Sequence, residues 1–217
     1  MRDSLVARVR GLLTKPKDEL PKTIAEAGDF KSLLPYVLVL VSVGALSQFI
    51  SAGIIGKYMP PQVVFGMKIG GGWFRSPIAS LVGAVLSVGI GVAAWWFFGF
   101  IVNALAPSFG ARKDDATALK VAAWTATPIW LAGALALFGS VPYLGWIATV
   151  AMIGGVVYGV LIGMWALPLL MGTPEGKAPG HILAAMGITL AVTAVVWFVV
   201  FGLVIASLFA TGATLVH

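Results

Sequence analysis

The stretch from Val121 to Pro174 reads VAAWTATPIWLAGALALFGSVPYLGWIATVAMIGGVVYGVLIGMWALPLLMGTP, 54 consecutive residues without an acidic, basic or histidine side chain. About 20 helical residues cross a bilayer core of roughly 30 Å, so this tract is long enough to cross twice. It must then turn once, and Gly139, Ser140, Pro142 and Gly145 supply the breaker chemistry near its middle. One helix is expected to end near Phe138 and the next to run from about Trp146 to Leu170.

The same reading extends to both ends of the chain. Between Lys31 and Lys57 lie 25 residues without a formal charge, between Arg75 and Arg112 there are 36, and 40 follow Lys177. Each holds one further helix. The chain has 217 residues, 59% of them apolar and 10% charged, whereas a soluble domain carries about 25% charged residues. The expected fold is an all-α integral membrane protein, a five-transmembrane-helix bundle with spans at about 33–55, 78–106, 118–138, 146–170 and 182–210. This membrane domain, residues 33–217, follows a charged segment, residues 1–32. That segment lacks a short apolar core followed by a small-residue cleavage site, so no cleaved signal is expected. The absence of cysteine removes disulfides, thiolate metal sites and thiol nucleophiles.

The first 32 residues hold seven of the 14 basic residues and five of the eight acidic ones. Leu5, Val6, Val9, Leu12 and Leu13 recur there at helical spacing, with Arg2, Arg8 and Arg10 between them. That pattern is read as an interfacial amphipathic helix on the inner leaflet, with a tail of incidental leucines as the alternative. Pro16 and Pro21 bracket a link to the first span. The loop from Gly56 to Pro77 is rich in Gly and Pro, and its Tyr58, Trp73 and Phe74 suit a water–lipid boundary. The second span exceeds the bilayer's need. Either it tilts, or it ends earlier and its aromatic run Trp95, Trp96, Phe97, Phe98 and Phe100 lies at the boundary.

Lys and Arg accumulate in short cytoplasmic loops. With the N-terminus inside, the inner face receives 11 basic residues and the outer face three, Lys57, Lys68 and Arg75. All eight acidic residues also fall inside, and five spans place the C-terminus outside.

No Asp, Glu, Lys or Arg is expected within a span, which disfavours a proton-coupled pump. Serine-nucleophile chemistry is disfavoured too, because His181 and His217 lie at or beyond span ends; His181 is read as interfacial and His217 is assigned no role. Metalloprotease and phosphate-loop motifs are missing. Asp114 and Asp115 precede the third span and are read as helix caps in preference to metal ligands. A divalent-cation site from Asp114, Asp115, Glu175 and His181 would need their loops to meet. No cofactor and no catalytic residue are expected.

Two features of the spans concern packing. Gly155, Gly159 and Gly163 repeat every four residues and share one helix face, which lets two backbones approach closely; an intramolecular groove is preferred to a dimer interface. Pro128, in span three, lacks the N–H that would bond the Trp124 carbonyl, and Thr125 and Thr127 are close enough to compensate. A fixed kink is the simpler reading and a hinge the alternative.

The run Asp115-Ala116-Thr117-Ala118-Leu119-Lys120-Val121-Ala122-Ala123-Trp124-Thr125-Ala126-Thr127-Pro128 resembles the bacterial branch of the Yip domain family, the Ypt-interacting proteins. The likeness continues through Tyr158, Gly163, Leu167-Pro168-Leu169-Leu170-Met171 and Pro174-Glu175-Gly176-Lys177-Ala178, and Pro16, Glu19, Ile24 and Glu26 match the segment before the membrane. Leu20 departs from the Trp expected there, and His181 stands where an aromatic residue is usual. The resemblance implies five helices and a cytoplasmic N-terminus. In eukaryotic relatives it implies binding of Rab-type GTPases and a role in vesicle traffic and membrane shaping; in a bacterium it implies the plasma (inner) membrane. The expected function is non-enzymatic: membrane organisation or binding of a cytoplasmic protein partner, with anionic lipids at the cytoplasmic face and no nucleic acid. Oligomeric state is left open. The rival expectation is a small-solute, ion or metal transporter or channel, with spans three and four lining its path.

Overall fold

The computed structural model describes residues 2–59, 61–64, 67–69, 71–141 and 143–210; His217 lies outside them. Among the described residues the chain forms seven α-helices, of which five, with their flanking turns, are long and apolar enough to cross a membrane. The two short helices, α1 (Arg2–Thr14) and α2 (Pro16–Glu19), precede the first span. A 3-10 turn, Leu20–Thr23, follows them.

Span one is α3 (Phe30–Phe49), started by Asp29, whose carboxylate accepts the Ser32 N–H at 3.2 Å. It closes in a π-helical turn, Ile50–Ile55, and stops at Gly56, whose φ of 96° suits a residue without a side chain. The following loop is more ordered than its Gly and Pro content suggests. Strands β1 (Lys57–Met59) and β4 (Gly72–Phe74) pair antiparallel around β2 (Gln62–Val64) and β3 (Met67–Ile69). Tyr58 and Trp73 are directly opposite and meet edge to face at 6.0 Å, a cross-strand aromatic pair that offsets the loss of chain entropy.

Span two, α4 (Pro77–Leu105), begins with proline in the first turn and runs unbroken through the aromatic cluster. Trp95 and Phe98 turn into the bundle, while Trp96 and Phe100 turn away from it. Span three is α5 (Asp115–Ala132), continued by a 3-10 stretch, Gly133–Ser140. The α-helix passes through Pro128 and tightens only after Ala132. Span four, α6 (Gly145–Ala166), ends in a π-helical turn, Leu167–Met171, and span five is α7 (Ala178–Ala210).

The helix α5 lies at the centre, packed against α3, α4 and α6, with α7 laid on α4 and α6. Val37, Trp95, Val121, Ala122, Ile162 and Ile182 meet in one apolar core. Ser140 Oγ lies 2.8 Å from the Ser51 carbonyl oxygen and 2.6 Å from its hydroxyl, tying span three to the π-helical turn of span one. That junction and the hairpin mark one end of the bundle. The starts of α3, α5 and α7 and the ends of α4 and α6 mark the other, which carries all the charged residues except Lys57, Lys68 and Arg75.

Candidate functional site

The charged end is built around Lys120, which sequence reasoning counted on the inner face at the very start of span three. Lys120 stands one and a half turns into α5 and is 5% exposed. Its ammonium donates to the carbonyls of Thr23 at 3.0 Å, Ile24 at 3.2 Å and Glu26 at 2.9 Å. Three hydrogens meet three acceptors, which is how a buried ammonium avoids the desolvation penalty of an unpaired one. The expectation that no ionisable side chain enters a span is thus corrected at this position, since α5 begins at Asp115. Beyond the 3-10 turn the Thr23 carbonyl accepts only the Glu26 N–H, at 3.2 Å, and Lys120 supplies the further donors at this end of the segment, so the pre-membrane segment and the helix complete each other. Gly28 permits the contact: a β-carbon there would lie 2.3 Å from the Ala116 carbonyl oxygen.

The helix α1 docks on this end of the bundle. Leu5 and Val9 are partly covered and Leu12 is fully buried, while Val6 and Leu13 turn outward, so the apolar positions divide between two faces. Tyr158 of α6 donates its hydroxyl to the Leu13 carbonyl at 2.9 Å. Of the arginines assigned to the membrane surface, Arg10 is exposed and Arg8 is turned inward; the Arg2 side chain lies outside the described residues. The Arg8 guanidinium sits 5.5 Å from the centre of the Trp124 ring and pairs with Glu19 and Glu26. Glu19 also accepts Lys22 at 2.8 Å. Below, Tyr36 meets Trp124 edge to face at 5.1 Å. Thr127 spends its one hydroxyl hydrogen on the Ala123 carbonyl, so Tyr36 donates to Thr127 Oγ1, at 2.7 Å. The buried hydroxyl of Thr125 finds no partner among the described residues.

The glycine face of α6 lies against α5 at the level of Pro128. A β-carbon on Gly155 would come within 2.9 Å of the Pro128 carbonyl oxygen and one on Gly159 within 2.4 Å of the Thr125 carbonyl oxygen, while one on Gly163 would meet Ile182 Cγ1 of α7 at 2.5 Å and Thr125 Oγ1 at 3.0 Å. The two backbones touch, with glycine Cα–H groups directed at carbonyl oxygens.

The four residues weighed as a cation site take separate roles. Asp114 caps α5: its carboxylate accepts the Thr117 hydroxyl at 2.8 Å and the Thr117 N–H at 3.2 Å, and these bonds hold its pKa below the ordinary value. Asp115 accepts the Asn103 side-chain N–H, while the Asn103 oxygen accepts the Asp114 N–H at 2.9 Å, so Asn103 joins the end of α4 to the start of α5. Glu175 is exposed in a 3-10 turn. His181 is fully buried, which corrects its reading as an interfacial side chain. Its ring stacks on Phe109 at 4.9 Å and its Nε2, which must carry the hydrogen, donates to the Val102 carbonyl at 2.8 Å. It packs as an aromatic ring with one polar tether, and the tether holds α7 to α4. Among the described residues no group of three or more His, Asp or Glu side chains is placed to hold a metal ion.

Sequence reasoning missed Lys120, Asn103 and the inward turn of Arg8. No curated protein and no solved structure matches this chain. The Yip1 domain family model matches residues 10–216. That match takes in the pre-membrane segment from Arg10 onward, the buried Lys120 and all five candidate spans, so the chain belongs to the Yip1 domain family.

Proposed function

We propose that this Yip1 domain protein is a non-enzymatic membrane-organising protein, and that its charged end faces the cytoplasm and receives lipid headgroups or a soluble partner. The observation that carries the reading is the contact of Gly159 with the Thr125 carbonyl. A transport path between spans three and four would need polar groups lining a hydrated gap there, and the two backbones occupy that gap instead. The charged end supports the same reading. It presents a folded cap, α1 to Ala27, held by Lys120 and Arg8, with Arg10, Lys15 and Lys17 on its outer surface.

The 11-to-3 distribution of basic residues supports a cytoplasmic N-terminus, with the C-terminus on the opposite side. In a bacterial cell the membrane would be the plasma membrane. Reporter fusions at both termini test the orientation, and two ends on the same side would end the five-span arrangement. The function is tested by reconstituting the whole chain into sealed liposomes and measuring ion and divalent-metal flux. No flux above protein-free liposomes is expected. Flux that is abolished by Gly159→Leu would overturn the reading in favour of a transporter.

A further inference from the structure

Between α1, the link after Ile24, α3 and α5 lies a cleft of about 560 Å³, within the range of about 300–1,000 Å³ typical of small-molecule sites. Its lining changes character along its length. At one end stand Arg8, Glu26, Lys31 and Ser32, at the start of α3; Tyr36 and Val39, one and two turns further along the same helix, line the other. Each helical turn advances about 5.4 Å, so the polar and apolar ends are separated by roughly two turns of depth. Val39 is 50% exposed on a span, so the apolar end opens sideways toward the lipid.

Two donors on the lining are buried without partners. Arg8 uses Nε for Glu19 and Nη2 for Glu26, which leaves Nη1 unpaired. Trp124, 3% exposed, has no acceptor for its Nε1 hydrogen. Buried N–H groups of this kind call for an acceptor. Charges at the site are Arg8 and Lys31 against Glu26 and the Glu19 that pairs with Arg8, and the Lys120 ammonium behind it on the Glu26 carbonyl leaves the sum positive.

We infer that this cleft binds one anionic glycerophospholipid, its phosphate against Arg8 and Lys31 and its acyl chain leaving past Tyr36 and Val39. An amphiphile fits because the charge and the opening to the bilayer sit at opposite ends. A phosphate fits because Arg8 retains a free pair of guanidinium hydrogens while its other nitrogens stay with carboxylates. Trp124 Nε1 supplies a further donor to the headgroup or the ester. The inference rests on the reading that the charged end is the working face, and it names that face's ligand.

The test uses the full chain in nanodiscs made from a zwitterionic lipid with a minor share of a photoactivatable lipid, either phosphatidylglycerol or phosphatidylcholine carrying a diazirine in its acyl chain. Label from the anionic probe should appear in the peptide containing residues 35–39 at least fivefold above the zwitterionic probe. Lys31→Gln, at an exposed position, should lower that preference severalfold with no change in melting temperature; Arg8→Gln should abolish it, and Arg8→Lys should restore part of it. Equal labelling by the two probes, or labelling unmoved by Lys31→Gln and Arg8→Gln, would overturn the inference. So would loss of label on adding inorganic phosphate alone, which would assign the site to a free anion. Failure here with no flux in liposomes would leave the organising function standing, whereas specific flux would remove that function whatever the labelling shows.

Discussion

Spans three and five are both apolar helices, yet the less apolar one is the better buried. The most apolar window of span three has a mean hydropathy of 1.6 and is 44% buried within the protein, against 2.4 and 22% for span five. In water the order would be reversed. In a bilayer, lipid tails solvate large apolar side chains as well as a protein core does, so hydropathy no longer decides which residues go inside. Size decides instead. The buried stretch of α5 is made largely of Ala, Thr and Val, and the outward face of α7 carries Leu183, Val195 and Phe198. Small side chains allow other helices to come close, and their polar atoms then find partners across the gap, as Thr127 does with Tyr36.

This comparison breaks most visibly at Gly159. Replacing it with Leu pushes a β-carbon into the Thr125 carbonyl, and backbone cannot step aside as a flexible side chain would. The loss should reach or exceed about 3 kcal/mol, the upper end of ordinary overpacking. Thermal unfolding in detergent measures it. A melting temperature close to that of the parent would mean that α5 and α6 do not touch as described.

The next effect is at Lys120. Lys120→Met keeps the buried stem and removes the ammonium, so the Ile24 and Glu26 carbonyls lose their donor and the Thr23 carbonyl keeps only the Glu26 N–H. Hydrogen bonds to charged groups contribute about 1.5–3 kcal/mol, and part of that is offset by no longer burying a charge. A net loosening of the cap by about 1–2 kcal/mol is expected from those opposing terms. Tryptic cleavage after Lys17 and Lys22 should then run on the order of tenfold faster, with the bundle's own melting little changed. Unchanged cleavage would show that α1 and the apolar contact of Leu12 hold the cap without the lysine.

The spans were legible in the sequence for the reason that makes them spans. A charge-free tract of 20 residues has few alternatives, and glycines every four residues put one smooth face on α6 whatever it packs against. The cap was not legible. Lys120 bonds residues 94 to 97 positions away in the chain, and no local pattern distinguishes a lysine that reaches back into a folded segment from one in a cytoplasmic loop. His181 misled in a similar way. Its place at the start of a span suggested an interfacial ring, but Phe109, brought there by the end of α4, covers it. In α1 the helical period was read correctly while its direction was not, because Arg8 gains a π-face and two carboxylates by turning inward. The hairpin after span one was hidden by glycines such as Gly71, whose φ of 93° suits a turn and not a strand.

A smaller effect sharpens the comparison at the start of span three. Hydrogen bonds to Asp114 from the Thr117 hydroxyl and backbone hold its pKa below the ordinary carboxylate value. The folded value is lower than the unfolded one, so the cap's contribution is fully present above about pH 4 and is lost as the pH falls through the folded value. Asp114→Ala should cost about 1 kcal/mol at neutral pH. Asp114→Asn should retain most of that and flatten the acid dependence, since asparagine caps without titrating. Melting curves at pH 7 and pH 3.5 separate the two. An equal acid loss in Asp114→Asn and the parent would assign that loss to other carboxylates.

The smallest expected effect is on the outward face of α7. Phe198 is 81% exposed and stands three residues beyond Val195, which is 62% exposed, so the two share a face directed away from every other span. If lipid covers that face, Phe198→Leu exchanges one lipid-solvated apolar group for another and leaves all packing in place. The change in stability should stay within about 0.5 kcal/mol, as at surface positions that touch nothing specific. The same substitution would cost more than about 1 kcal/mol if a second copy of the chain packed there, because aromatic side chains at a close interface leave a gap when shortened. Melting temperatures at two protein concentrations in detergent decide between them: a flat response for parent and variant keeps the face for lipid. A parent that melts higher when concentrated, and a variant that does not, would turn the most apolar span from a lipid-facing helix into an interface.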